Sequence, residues 1–183
     1  MTAEKIEGQL LDGVVRNAWY EALQEVWHRY EDLVQEQTHE VTVMAKVAAE
    51  LQPRIDDALE HRYRVDVEYN RWHGPNAREF RVKYLPDPSG ENKRVRPDLI
   101  VHDGTGNHLH NLLVVEAKQG AQIRPRDRED DYRKLLGFLS VYDYRQAVYL
   151  EFDGNGGPPR LEWLRQDEWP DPEYRPAEVV ALF

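Results

Sequence analysis

The sequence contains no cysteine. This absence excludes disulfides, thiol nucleophiles, iron–sulfur clusters and thiolate zinc sites. Long apolar runs are also missing, because no window approaches the roughly 18 consecutive apolar residues that a membrane-spanning helix needs. The first thirty residues carry acids throughout and lack the apolar centre of a secretory signal. We therefore expect a soluble, cytoplasmic protein without a membrane partner.

Basic residues are in deficit, with 24 Lys and Arg against 34 Asp and Glu, and the formal net charge is −10. Such a field opposes loose, sequence-independent attraction to DNA or to an acidic membrane. Any contact with nucleic acid must therefore use a local basic patch. The sequence has five Trp and ten Tyr among 183 residues, which makes it too rich in core-forming side chains for a disordered protein. The length suits one compact domain with an accessory element.

Apolar residues recur at helical spacing in the first third of the chain. Residues 4–36 predict one long helix or two short ones with a wide apolar stripe. This stripe predicts packing on the domain, and it leaves open contact with a partner protein or with a second copy of the chain. A second helix is predicted over 38–60, with Thr38 as its cap and Pro53 as a kink or a break. We divide the chain into an N-terminal helical arm, residues 1–37, and a core, residues 38–183.

Strand patterns begin after the second helix. Residues 62–71 alternate apolar and polar side chains, and the segment FRVKYL predicts another short strand. Two nearly continuous apolar runs follow, at 94–103 and 111–118, joined by the turn-forming segment GTGNHLH. These runs predict a central antiparallel hairpin that is buried on both faces of its sheet.

The remainder of the core predicts a helix and two more strands. An amphipathic helix is expected at about 129–140, with strands at 146–152 and 160–164, before a Pro-rich tail. The order of these elements predicts an α/β fold with a central mixed β-sheet flanked by helices.

Three charged residues interrupt the predicted hairpin. Asp98, Glu116 and Lys118 lie inside or at the ends of strands whose other residues are mostly Leu, Ile and Val. Burying an unpaired charge costs several kcal/mol, so these groups must be paired, bound to metal or placed at an open strand end. Pro97 removes a backbone donor beside Asp98 and predicts a bulge or an interrupted ladder there.

Hairpin geometry brings these charges together. Glu116 and Lys118 are two residues apart and share a face of the strand. If the hairpin turns about Asn107, Asp98 lies directly opposite Glu116. Two facing carboxylates beside one lysine are tolerated mainly when a divalent cation lies between them. Glu40 falls within the apolar stripe of the second helix and is expected to face the sheet, although a first-turn acid also suits the helix dipole.

The motif PD at 97 and 98, followed by EAK at 116–118, resembles the PD-(D/E)xK nuclease superfamily. The segments VDVEYNR, RVRPDLIVHD, NLLVVEAK and DDYRKL, taken in order, resemble small, largely uncharacterised bacterial members of that superfamily. The resemblance covers roughly residues 38–152 and leaves the arm and the tail unmatched. It implies a restriction-endonuclease-like core, with a central mixed β-sheet flanked by helices, plus the N-terminal helical arm.

The resemblance also implies a role for each motif residue. Asp98 and Glu116 would bind Mg²⁺ or Mn²⁺ with the carbonyl of Ala117, and Glu40 would complete the metal site. Lys118 would orient or activate the attacking water and stabilise charge on the phosphate. A hard divalent ion prefers oxygen ligands, polarises a phosphoryl oxygen and lowers the pKa of its bound water, which suits phosphodiester hydrolysis. The expected activity is that of a metal-dependent nuclease acting on DNA.

Binding of nucleic acid requires positive charge around this site. Gln119 follows the motif, and we expect it either to contact DNA or to be an ordinary polar residue at the strand end. Basic residues flank both motif strands, but acids interleave those on the second side, so a solvated connector fits that side equally well. The candidate contacts with nucleic acid are Arg94, Arg96, Gln119, Arg124, Arg126 and Lys134.

Two further hypotheses fit the same residues. A domain of this fold can bind nucleic acid or protein without cleaving it, since fold does not guarantee function. The chain can also be an interaction subunit whose N-terminal helix joins a homodimer or a larger complex. A large apolar patch on residues 6–33 would favour that last hypothesis.

Overall fold

The computed structural model describes residues 3–35, 39–73, 80–87, 89–105, 110–120, 122–152, 157–164 and 178–181. The helices within these residues are α1 (Ala3–Arg29), α2 (Glu31–Gln35), α3 (Glu40–Leu59) and α4 (Pro125–Val141). The strands are β1 (Arg64–Val67), β2 (Arg71–His73), β3 (Phe80–Val82), β4 (Tyr84–Pro86), β5 (Asn92–Arg94), β6 (Leu99–His102), β7 (Asn111–Gln119), β8 (Gln146–Phe152), β9 (Arg160–Leu164) and β10 (Glu178–Ala181).

A mixed sheet of six strands forms the centre of the fold, in the order β1–β6–β7–β8–β9–β10. Strands β7 and β8 are parallel, and the other neighbouring pairs are antiparallel. Helix α4 joins the parallel pair, because parallel neighbours need a long crossover connection. Two small sheets, β2–β3 and β4–β5, accompany the central one. The predicted α/β fold with a mixed sheet flanked by helices is confirmed.

Side chains of the central strands alternate between two helical layers. Leu99 and Val115 belong to the core shared with α1 and α3. Ile100 and Val114 belong to the core shared with α4. Strands β6 and β7 are therefore buried on both faces, as their apolar runs predicted.

Helix α1 packs within the chain against α3 and one face of the sheet. Its residues Val15, Trp19, Leu23 and Val26 are at most 1% exposed. The chain itself therefore covers this part of the apolar stripe, as the packing interpretation predicted.

The division into an arm and a core between residues 37 and 38 stays a prediction. Within the described part of the chain, no helix has the length and apolar composition needed to cross a membrane.

Helix α3 differs from its prediction at its start and in its middle. Its N-cap is His39, which makes no side-chain capping hydrogen bond, and the predicted cap Thr38 lies outside the described residues. The helix continues through Pro53, so the predicted break is wrong. Leu51 and Ile55 are fully buried on either side of this proline, and their burial stabilises the helix across it.

Two further elements begin at residues other than those predicted, and in both cases a proline explains the difference. Helix α4 begins at Pro125 rather than at about residue 129, because proline is favourable at the first helical position. Strand β6 begins at Leu99 rather than at residue 94, so the ladder interruption predicted at Pro97 is confirmed. The bulge predicted beside Pro97 is wrong, because the register irregularity lies between Val101 and His102.

The predicted strand over 62–71 is divided between β1 and β2. Glu68 follows β1 with a left-handed φ of 52°, which ends the extended conformation. The segment FRVKYL likewise contains two strands, β3 and β4, which belong to different small sheets. Strand β5 lies in a segment of loop-like composition, and β10 lies in the Pro-rich tail, where it pairs with β9. Neither β5 nor β10 was predicted.

Candidate active site

The motif residues meet on the face of the central sheet that α4 covers. Strands β6 and β7 pair with Leu99 opposite Val115, so Asp98, one residue earlier, faces Glu116. The predicted antiparallel register is confirmed, although Asn107 itself lies outside the described residues. The backbone N–H of Ala117 donates to Asp98 Oδ2 at 2.7 Å, which orients this carboxylate toward β7.

Glu116 is a carboxylate in the protein interior, with 1% of its surface exposed. Its Oε2 accepts a hydrogen bond from Lys134 Nζ at 3.0 Å. Its Oε1 is buried and has no hydrogen-bond partner among the described residues. An unpartnered carboxylate oxygen in the interior is costly, so this atom can accept a further ligand.

Lys118 lies two residues after Glu116, and acids from two helices hold its amine. Its Nζ is 3.1 Å from Asp131 Oδ2 on α4 and 3.8 Å from Glu40 Oε2 on α3. Asp131 is 2% exposed, and its Oδ1 also accepts from Lys134 Nζ at 2.6 Å. Asp131 therefore joins the two lysines and fixes the spacing of their amines.

Glu40 and Gln119 connect the end of β7 to the helices on the opposite face. Glu40, the first residue of α3, accepts from the backbone N–H of Gln119 at 3.2 Å. The side-chain Nε2 of Gln119 donates to the carbonyl of Leu33 at 3.4 Å. Glu40 thus faces the sheet as expected, and its contacts are to Lys118 and Gln119. The Gln119 side chain has a structural contact, while its contact with DNA stays a prediction.

Burial and neighbouring charges perturb the two facing carboxyl groups. Burial raises the pKa of Asp98 to about 6, although the Ala117 N–H and the Lys118 ammonium oppose the rise. Burial also raises the pKa of Glu116 well above its ordinary value, which Lys134 opposes and Asp98 reinforces. Strongly perturbed carboxyl groups that face each other are typical of functional sites.

The pKa values of the two lysines are also raised, but by neighbouring acids and against the effect of burial. Burial alone would lower the pKa of Lys118, but Asp131 and Glu40 outweigh it and raise the pKa. Glu116 and Asp131 raise the pKa of Lys134 in the same way. Both amines therefore stay protonated near neutral pH, so they donate hydrogen bonds and do not accept protons. We use the name charged cluster for Glu40, Asp98, Glu116, Lys118, Asp131 and Lys134.

The oxygen atoms of the cluster suit a hard divalent cation. Asp98 and Glu116 offer facing carboxylates, and Glu116 Oε1 is an acceptor without a hydrogen bond among the described residues. The carbonyl of Ala117, between the two motif residues of β7, is the predicted third oxygen. Within the described ranges, no group of three or more His, Cys, Asp or Glu side chains is placed so that it could hold a metal ion. The oxygen donors suit such a cation by their chemistry, and the roles of Asp98, Glu116, Ala117 and Glu40 as its ligands stay predictions.

Asp131 was not among the predicted site residues. The surrounding segment alternates acids and bases, which fits a basic patch and a solvated connector equally well. One signal could have found Asp131: it precedes the buried Leu135 and Phe138 by four and seven residues, so it lies on the apolar stripe of α4. An acid on such a stripe requires a partner inside the protein, and here the partners are the two lysines.

The predicted nucleic-acid contacts are mostly paired within the chain. Arg96 forms an ion pair with Glu68 at 2.8 Å, and Arg124 forms one with Asp127 at 2.8 Å. Such local pairing reduces the net positive potential of this surface. Arg94 lies in β5 against the amide of Asn70, Lys134 belongs to the charged cluster, and Arg126 is exposed without an ion pair among the described residues.

A second buried acid lies in the same row of the sheet. Glu116 is opposite Tyr149 on β8, which is in turn opposite Glu162 on β9. Glu162 is fully buried, accepts a hydrogen bond from the Tyr132 hydroxyl and pairs with Arg160 at 2.5 Å. Glu162 therefore has a tyrosine and an arginine as its partners. It is a natural comparison for Glu116.

The chain matches no protein-family model, no curated protein and no solved structure in the three comparisons made. The arrangement of the residues themselves therefore carries the proposal of function.

Proposed function

We propose that the protein is a divalent-metal-dependent nuclease with a restriction-endonuclease-like core of the PD-(D/E)xK superfamily. The observation that carries this proposal is the position of Asp98 opposite Glu116 on adjacent buried strands, with Lys118 on the same face. The orphaned Glu116 Oε1 supports it, because a buried carboxylate oxygen without a donor suits a cation ligand.

In this proposal Asp98, Glu116 and the Ala117 carbonyl hold Mg²⁺ or Mn²⁺, with Glu40 at the edge of the site. The bound ion supplies Lewis-acid polarisation of the phosphoryl oxygen and a water of lowered pKa. Lys118, held as a cation by Asp131 and Glu40, orients the attacking water and stabilises negative charge on the phosphate. The raised pKa of Lys118 favours this electrostatic role over that of a general base.

The substrate in this proposal is DNA, approached through a small basic surface. The net charge of −10 and the internal pairing of Arg96 and Arg124 oppose tight, independent binding of a long duplex. We therefore expect a short or single-stranded substrate, or a partner protein that supplies further contacts.

A second candidate function is a module that binds nucleic acid or protein without cleavage. The Lys134 ammonium on Glu116 favours this candidate, because the lysine already satisfies one oxygen of the proposed ligand. Binding through the apolar stripe of α1 is less favoured, since Val15, Trp19, Leu23 and Val26 are covered within the chain.

Cleavage of labelled single-stranded and double-stranded DNA and RNA, in Mg²⁺ or Mn²⁺ and in EDTA, tests the proposal. We expect metal-dependent cleavage by the wild type and a loss of at least about 100-fold in Lys118→Met, which removes an electrostatic donor from the site. Lys46→Met is the matched control, because Lys46 lies on α3 above the ring of Tyr30, away from the cluster. This control should cleave at the wild-type rate.

Absence of cleavage with any substrate, by a folded wild type in either metal, would favour the binding module. Equal activity of Lys118→Met and the wild type would contradict the proposed site even if the protein is a nuclease.

A further inference from the structure

The contacts of Lys134 distinguish it from Lys118. Among the ion pairs of the charged cluster, the one to Glu116 comes from Lys134, at 3.0 Å, while Lys118 contacts Asp131 and Glu40. The Lys134 ammonium therefore lies beside the carboxylate that is proposed to bind metal. Its second contact, 2.6 Å to Asp131, is the shorter of the two.

Charge balance gives the position of this ammonium a further meaning. The cluster contains four acidic side chains and two lysines, so two negative charges lack a counter-ion when all four acids are ionised. A buried carboxylate without a compensating charge is strongly unfavourable. Lys134 supplies that compensation to Glu116. With both lysines counted, the site still lacks two positive charges, which is the charge of one divalent ion.

The Lys134 side chain can also move without repacking the core. It is 35% exposed, whereas the side chains of Glu116 and Asp131 are 2% and 3% exposed. A lysine has a flexible four-carbon stem and a compact charge, so its amine can leave one acid and keep another. Asp131 is the acid that can retain it.

We propose that Lys134 is a resident counter-ion of the metal-free protein, and that a divalent cation binds by displacing its ammonium from Glu116 while the ammonium stays on Asp131. This inference rests on the proposed function, since it takes Glu116 as a metal ligand. Lys134 is in this account a positioning residue: it sets the affinity for metal and orders Glu116 before metal arrives.

Calorimetric titration of the full chain with Mn²⁺ tests the proposal without relying on cleavage. Lys134→Gln removes the competing charge, so Mn²⁺ should bind about tenfold more tightly than to the wild type, on the scale of one charge-assisted hydrogen bond. Lys134→Arg keeps the charge and should bind like the wild type. Arg133→Gln is the matched control, because Arg133 pairs with Asp130 on the surface of the same helix.

An unchanged or weaker affinity in a folded Lys134→Gln protein would overturn the displacement. If the wild type binds Mn²⁺ and Lys134→Gln binds it no better, this inference fails while the proposed function stands. If neither protein binds Mn²⁺ and the wild type cleaves nothing, the proposed function fails and the inference fails with it.

The wild type provides a second measurement that does not depend on the folding of Lys134→Gln. Nitrogen–proton correlation spectra detect lysine ammonium groups held in ion pairs, and Lys134→Arg identifies the signal of Lys134. Saturating Mg²⁺ should shift that signal, and EDTA should restore it. A Lys134 signal that Mg²⁺ leaves in place would contradict the displacement.

Discussion

Two regions along α4 each hold a lysine, half-buried in one and fully buried in the other, and they shift its pKa in opposite directions. In the charged cluster, burial disfavours the Lys134 ammonium, but Glu116 and Asp131 outweigh burial and raise its pKa. In the second region, Lys83 is 2% exposed, donates to the Tyr144 hydroxyl at 2.8 Å and has its pKa lowered to about 7 by burial. The rings around Lys83, which we call the aromatic box, are Tyr69, Phe138, Tyr142 and Tyr144, with centroids 5.1 to 5.9 Å from its Nζ.

This contrast shows that counter-charge decides the protonation state of an amine held away from water in this protein. Asp66 opposes the lowered pKa of Lys83 but does not cancel it, whereas Lys134 touches two carboxylates directly. The charged cluster is organised to hold cations, and the aromatic box is organised to exclude water. Of the two regions, the charged cluster is the one for which we propose metal binding.

The largest expected effect comes from neutralising the acid that joins the two lysines. Asp131→Asn removes the shared partner of Lys118 and Lys134 and should lower the free energy of unfolding by about 3 kcal/mol, as expected for a broken buried ion pair. Urea denaturation measures this change. Asp130→Asn is the matched control, since Asp130 pairs with Arg133 on the surface, and it should change stability by less than about 0.5 kcal/mol. Equal effects of the two substitutions would remove the distinction between the cluster and an ordinary surface.

A smaller effect of opposite sign is expected in the aromatic box. Lys83→Met replaces an amine that is costly to bury by an apolar chain of similar length. It should raise the free energy of unfolding by about 2 kcal/mol at pH 6, after the lost hydrogen bond to Tyr144 is included. Urea denaturation again provides the measurement. Lys46→Met, where the amine lies above Tyr30 and is only partly buried, should change stability little.

The benefit of Lys83→Met should shrink as pH rises from 7 toward 10. In this range folded Lys83 has released its proton, while in the unfolded chain the amine keeps its proton up to a pKa of about 10.4. The unfolded state then binds more protons, so wild-type stability increases by about 1.4 kcal/mol per pH unit and overtakes that of the variant before pH 10. A difference between the two proteins that stays constant from pH 6 to 10 would mean that Lys83 remains charged inside the box.

The sequence predicts the motif face of the sheet well because strands have a period of two. Asp98, Glu116 and Lys118 interrupt apolar runs, so their faces and the register of the hairpin follow from alternation. Glu40 was placed toward the sheet by the same logic applied to a helix. These inferences depend on local periodicity and one short-range pairing.

Asp131 and Lys83 show where that logic ends. Asp131 is surrounded by charged neighbours. Its place on the apolar stripe of α4 indicates burial, but only its packing against β7 reveals that it joins Lys118 to Lys134. Lys83 lies between β3 and β4, in a segment that reads as a single strand with Lys83 on its polar side. The division of that segment turns Lys83 toward α4, and long-range packing of this kind leaves no local pattern.

The most direct test of the proposed site compares two buried glutamates of the same sheet row. Glu116→Gln and Glu162→Gln make the same chemical change at positions that are 1% and 0% exposed, on strands separated by β8. Cleavage rates in Mg²⁺ should fall at least about 100-fold in Glu116→Gln and stay near the wild type in Glu162→Gln, at a temperature where both are folded. Equal rates in the two variants would contradict a catalytic metal site at Glu116.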